Sequence, residues 1–300
     1  MQVLVPTAIT SSMLVSSSVP EPDTGEGTAY NPATAYAVDA LVYSPTTHRR
    51  YRAIIASTGR NPDTDTTTPA AWVDLGPTNR WAMLDDQVST QTIETGSISV
   101  TIDPGTFNAI SLFGLSGDTI EVTVWDGPTG SVVYEHEQAL DDSAPADYYE
   151  HFYSPYRPLT DLTLDDIPIY VNPRVTVTVN GGDARIGALL LGDLRTLGCT
   201  SYGATAELVD YSYIKVDEFG RNSIIKRKNA KDMRATVRFA TQDANQVVET
   251  MAELLAVPCV WIASTATPYG GLRCYGLGSG GVSYDGPTQC LLNLTVRGLI

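Results

Sequence analysis

Apolar and polar side chains alternate with a period of two through the middle of the chain. Ile98, Val100 and Ile102 alternate with Ser97, Ser99 and Thr101; Ile120, Val122 and Val124 with Thr119, Glu121 and Thr123; and Val175, Val177 and Val179 with Arg174, Thr176 and Thr178. Successive side chains of a strand point to opposite faces, so each segment reads as a half-buried strand. Residues 110–115 and 184–191 are apolar nearly throughout, as strands covered on both faces are. Asp126-Gly127-Pro128-Thr129-Gly130 and Asn180-Gly181-Gly182-Asp183 predict hairpin turns, because Gly and Asn tolerate positive φ. The run 81–198 is therefore expected to be an antiparallel β-sandwich, jelly-roll-like.

The pattern changes after Gly198. Residues 210–217 predict a strand, Phe219-Gly220-Arg221-Asn222 a turn, and 223–228 the return strand. Met233, Ala235, Val237 and Phe239 alternate with Arg234, Thr236 and Arg238, and near the end Leu292, Leu294 and Val296 alternate with Asn293, Thr295 and Arg297. Between them a helix is expected, with Thr241 as N-cap and Val247, Val248, Met251, Leu254 and Leu255 on one stripe before Pro258. Residues 259–263 read as a buried strand. The run Gly276-Leu277-Gly278-Ser279-Gly280-Gly281 opens no helix, so it is expected to be a loop rather than a phosphate cradle. Residues 199–300 thus predict a β-sheet unit covered by one α-helix.

At the other end, Val3-Leu4-Val5 predicts a short strand or arm. Residues 16–27 hold three serines, two prolines, two glycines and three acids, a linker composition. The expected organisation is an arm and linker (1–27), a small unit (28–80), the sandwich (81–198) and the C-terminal unit (199–300). The fold class is mainly β.

Composition then narrows the function. A net charge of −15 opposes binding to nucleic acid or to an anionic membrane surface, which needs Lys and Arg gathered on one face. No apolar run reaches the length of a membrane span, and residues 1–19 lack the basic start and unbroken apolar stretch of a secretory signal. Cys199, Cys259, Cys274 and Cys290 show no CxxC spacing and lie in or beside apolar stretches, so buried free thiols are expected. One charge anomaly stands out. Arg221, Lys226, Arg227, Lys228, Lys231, Arg234 and Arg238 face a single acid, Asp232, in the segment 221–238 of an otherwise acidic chain. A cationic hairpin on an acidic molecule suits docking against another copy, with Arg221, Ile224, Ile225, Lys226, Arg227 and Lys228 as the interface; the other reading is a solvated face with no partner.

Catalytic and metal chemistry is not legible. No Gly-x-Ser-x-Gly or nucleophile–base–orienter set is visible among three histidines, and no cofactor is expected. His136 lies between Glu135 and Glu137, but alternation puts both acids on the opposite face. Asn61-Pro62-Asp63-Thr64-Asp65 lacks the glycine and distal Glu of a calcium loop and reads as a solvated turn. Residues 147–156 hold a dense aromatic cluster, expected to pack over the open end of the sandwich, with a sugar-stacking rim as the other reading. Trp81 and Leu84 are expected to seal the junction between the small unit and the sandwich.

Two resemblances bear on function. Tyr30, Tyr36, Val42-Tyr43, Tyr51-Arg52-Ala53, Pro62 and Ala71-Trp72 follow the order of small three-stranded chitin-type carbohydrate-binding modules over residues 30–76. A unit this small relies on aromatic side chains for burial. Tyr36, Tyr43, Tyr51 and Trp72 therefore either stack on sugar rings or form the unit's own core. The order of units along most of the chain, with Asn79-Arg80-Trp81-Ala82-Met83-Leu84-Asp85-Asp86, Tyr213-Ile214-Lys215-Val216-Asp217-Glu218-Phe219-Gly220 and Val257-Pro258-Cys259-Val260-Trp261-Ile262, resembles tail-tip or baseplate proteins of long-tailed bacteriophages. That resemblance implies a non-enzymatic virion protein, assembled in the host cytoplasm into a ring at the tail end. Its implied partners are other copies of itself, tube, hub and fibre proteins, and host-surface glycan, with no membrane insertion. The rival readings are a secreted carbohydrate-binding adhesin and a polysaccharide-degrading enzyme using two carboxylates.

Overall fold

The chain is described by a computed structural model, which covers residues 1–143, 147–153 and 157–299. The N-terminal segment forms β1 (Gln2–Pro6) and β2 (Leu14–Ser17). The small unit contributes β3 (Thr28–Ala29), β4 (Ala35–Tyr36), β5 (Leu41–Tyr43), β6 (Arg49–Ala53), β7 (Ser57–Thr58) and β8 (Trp72–Pro77). The middle of the chain holds β9 (Thr92–Ile102), β10 (Ala109–Phe113), β11 (Thr119–Trp125), β12 (Val132–Ala139), α1 (Tyr148–Tyr153), β13 (Leu162–Leu164), β14 (Arg174–Ile186) and β15 (Ala188–Thr196). The C-terminal part comprises β16 (Cys199–Thr200), β17 (Thr205–Asp210), β18 (Tyr213–Val216), β19 (Asn222–Ile225), β20 (Asn229–Ala240), α2 (Ala244–Glu253), β21 (Cys259–Ile262), β22 (Arg273–Ser283) and β23 (Gln289–Gly298). The protein is mainly β and sandwich-like, with α2 near its C-terminus.

The alternating segments form the strands expected of them. Strands β12, β11, β14, β9 and β2 make a five-stranded sheet whose inner face carries Ile98, Val100, Ile102, Ile120, Val122, Val124, Val175, Val177 and Val179, all buried. They pack with Ile110, Leu112, Leu162, Leu164, Leu189 and Leu191 of β10, β13 and β15 in one core. The opposite face of the five-stranded sheet is hydroxyl-rich, with Ser99–Thr178 and Thr101–Thr176 side-chain bonds across β9 and β14.

The second sheet takes in the short strand expected at the N-terminus. Its order is β13-β10-β15-β1-β21-β22-β23-β20-β16, with β17 also pairing β20. Strand β1 lies between β15 and β21, and so joins the sandwich strands to the C-terminal strands in one continuous sheet. Val3 and Leu4 are fully buried in different cores, one on each face; burying two such side chains contributes about 1.5–3 kcal/mol each. The expected linker is likewise built in. β2 pairs β9, Val19 is buried in the sandwich core, and buried Glu26 accepts hydrogen bonds from Asn79 N (2.6 Å) and Asp23 N (2.8 Å). Polar composition signalled flexibility, but in this segment the carboxylates satisfy backbone donors instead.

Two glycine runs also differ from expectation. Residues 180–183 form no hairpin: β14 continues through them with a bulge between Gly181 and Asp183, against Gly96 of β9. The change of sheet comes at Gly187, the single residue between β14 and β15. A Cβ there would lie 2.7 Å from Val88 O and 2.8 Å from Phe113 O, so only glycine fits the corner. Residues 276–281 belong to β22 rather than to a loop. At Gly278 a Cβ would sit 2.1 Å from the Trp261 ring, and the missing side chain is what admits the fully buried indole. Helix α2 packs through Ala244, Val247 and Met251, with Leu254 just beyond it; Val248 and Leu255 are exposed, so its apolar stripe is narrower than the sequence suggests.

Candidate functional site

The basic hairpin stands apart from both large sheets. Strands β18 and β19 pair only with each other, Tyr213 opposite Ile225 and Val216 opposite Asn222. Asp217 closes the turn: its Oδ1 accepts hydrogen bonds from Phe219 N (2.9 Å) and Arg221 N (2.7 Å). Ile214, Val216 and Ile224 are exposed, and Phe219 at the tip is 88% exposed. Arg221, Lys226, Arg227 and Lys228 are exposed beside them and Ile225 is half-buried. Arg227 lies over the Tyr213 ring at 4.9 Å, and Lys228 Nζ donates to Ser89 O (2.9 Å), which ties the base of the hairpin to the body. A two-stranded hairpin with an exposed apolar side is marginal on its own in water, and an apolar surface rimmed by charge is typical of interaction sites.

The carbohydrate-binding set is distributed differently. Tyr36, Tyr51 and Trp72 are buried at 8%, 7% and 7% exposure in one cluster with Val42, Ala53 and Ala71. Tyr36 meets Trp72 edge-on at 5.3 Å, and Trp72 Nε1 donates to Arg60 O (2.9 Å). The Tyr51 hydroxyl donates to Asp63 Oδ1, which also receives Thr47 Oγ1. These rings form the core of the small unit and offer no open face to a sugar; Tyr43 is half-buried on β5. Asp63 and Asp65 spend their oxygens on neighbouring hydroxyl and amide donors, as a structural turn does.

Exposed aromatics sit instead on α1. Tyr148, Tyr149, Phe152 and Tyr153 are all largely exposed, with Tyr149 and Tyr153 stacked at 4.7 Å. The cluster therefore does not pack over the sandwich as expected; Tyr156 lies outside the described residues.

The junction between the small unit and the sandwich holds a connected polar group centred on Glu21. The Glu21 side chain, 8% exposed, accepts from Thr78 Oγ1 (2.8 Å) and Trp81 Nε1 (3.2 Å), with Arg80 Nη1 at 3.8 Å. His48 Nδ1 lies 2.9 Å from Glu21 Oε1, and its ring stacks on Trp81 at 4.1 Å and 15°. The other ring nitrogen, Nε2, is 2.7 Å from Ser11 Oγ. Sequence reasoning missed this set because Ser11, Glu21 and His48 occur in no motif; the β2–β9 pairing and the Trp81 turn bring them together.

Among the described residues no group of His, Cys, Asp and Glu could hold a metal ion. A groove of about 600 Å³ beside β16 is lined by Gln2, Cys199, Ser201, Tyr202, Tyr269 and Leu272 among others. The cysteines are unpaired, three buried and Cys199 exposed. No family model, curated protein or solved structure matches the chain.

Proposed function

We propose that this chain is a structural subunit of the tail tip or baseplate of a long-tailed bacteriophage, assembling into a ring of identical copies at the end of the tail tube. The observation that carries this reading is the β18–β19 hairpin, which exposes Ile214, Val216, Phe219 and Ile224 between cationic side chains and pairs with neither large sheet. A neighbouring copy supplies the acidic surface it needs, since the whole chain carries −15. The continuous sheet through β1 suits a load-bearing part, because separating the sandwich from the C-terminal strands within this sheet requires breaking one of the antiparallel ladders that β1 makes with β15 and β21. The partners in this role are further copies, tube, hub and fibre proteins, with host-surface glycan meeting the exposed rings of α1 rather than Tyr36, Tyr51 and Trp72. Negative-stain electron microscopy of the purified protein tests the reading: closed rings of uniform diameter are expected, and a field of single particles at every concentration would count against it.

A further inference from the structure

The arrangement of Ser11, His48 and Glu21 goes beyond a structural role and does not depend on it. An ionised carboxylate only accepts hydrogen bonds. Glu21 Oε1, 2.9 Å from Nδ1, therefore fixes the proton of the neutral imidazole on Nδ1 and leaves the Nε2 lone pair facing Ser11 Oγ at 2.7 Å. That is the connectivity by which a serine hydroxyl is made nucleophilic. The ring and its carboxylate partner are both held in place. Trp81 stacks on the ring, Thr78 and Trp81 anchor Glu21, and His48 itself adopts φ +55, a left-handed conformation uncommon for residues other than glycine. His48 is 15% exposed, whereas Ser11 is open to solvent.

The turn carrying Ser11 adds a second component. Met13 N and Leu14 N both donate to Thr10 O, at 2.9 and 3.3 Å, and among the described residues the Ser11 and Ser12 N–H groups have no partner. Unpaired N–H groups beside a nucleophile can stabilise an oxyanion.

We propose that Ser11, His48 and Glu21 form a surface ester-cleaving centre that acts on short acyl esters carried by a larger chain. The open position of Ser11 sets this class, because an exposed hydroxyl has no walls to hold a long acyl group. Ser11 Oγ attacks the ester carbonyl as its proton passes to His48 Nε2. The carbonyl–alkoxy bond then breaks and the alkoxide leaves with that proton. Water reverses the sequence: it gives a proton to Nε2, adds to the acyl carbon and releases the carboxylic acid, while Nε2 returns a proton to Ser11 Oγ. Glu21 is a positioning residue that holds the tautomer and balances the imidazolium.

A phosphonofluoridate probe tests the centre on the full chain, since Oγ–P bond formation with loss of fluoride needs the same proton transfer to His48. Intact mass spectrometry is expected to show one adduct, mapped to Ser11 and not Ser12, absent in Ser11→Ala and abolished in wild-type protein unfolded by urea. His48→Gln and Glu21→Gln should each slow labelling by at least about 100-fold, with Glu21→Asp recovering part of the rate at matched melting temperature. Wild-type protein should also release p-nitrophenol from p-nitrophenyl acetate faster than Ser11→Ala. No Ser11 adduct, equal labelling of folded and unfolded chain, labelling indifferent to His48→Gln, or equal ester release by wild type and Ser11→Ala would each overturn the proposal.

Discussion

Single side chains decide several questions here, and Trp72 is the clearest. Its ring is buried among Tyr30, Tyr36 and Ala71 and its indole nitrogen is bonded. Trp72→Ala is expected to cost about 3–5 kcal/mol, read as a lower melting temperature of the small unit; lost glycan binding with unchanged melting would contradict that placement. The sequence named the four aromatic positions but not their exposure, because in a unit with so few aliphatics stacking platforms and core residues are the same residue types. Gly278 is the converse case, where an absent side chain makes the packing: Gly278→Val would drive a branched group into Trp261 and should destabilise the C-terminal core by more than about 1–3 kcal/mol. The buried thiols give a pH dependence. Burial pushes Cys259 up to about 11 and Cys274 up to about 12 from the usual 9.0. The folded state favours the protonated thiol, so their contribution is fully present below pH 9 and is lost as pH rises towards 11 and 12. Alkaline titration of stability should fall across that window, and Cys259→Ala with Cys274→Ala should flatten the fall. Iodoacetamide at pH 8 should modify Cys199 first.

At the scale of elements, alternation proved sufficient wherever one face of a strand is buried and the other wet, as in β9, β11, β14, β20 and β23. It could not place the strand expected at Val3-Leu4-Val5 in the middle of a sheet, because Val3 and Leu4 pair with residues nearly two hundred or more positions away: Arg195, Leu194, Trp261 and Val260. The glycine runs misled for a related reason. Gly181 and Gly278 are demanded by close neighbours remote in sequence, and a run of glycines reads as a turn until those neighbours are known. Residues 16–27 should therefore resist limited proteolysis, through Val19 burial and the Glu26 bonds, while the exposed tip of the β18–β19 hairpin at Phe219-Gly220-Arg221 is cut first in the free subunit. Early cleavage within 16–27 would contradict this arrangement.

The chain is acidic as a whole and carries a cationic, apolar hairpin, and that asymmetry is the basis of the assembly proposed for it. Exposed ion pairs are worth about 0–1 kcal/mol each, so the cations of the hairpin have to act together with burial of Ile224 and Phe219 to hold an interface. Salt should weaken assembly, since the screening length falls to about 3 Å at 1 M. The hairpin's charge was legible in the sequence, but its separation from both sheets was not. Sedimentation velocity of the variant combining Lys226→Glu, Arg227→Glu and Lys228→Glu tests the claim most directly. The wild-type chain should sediment as an oligomer that dissociates with salt, and the variant as a monomer with the wild-type circular dichroism spectrum; a variant that assembles as the wild type does would contradict the account.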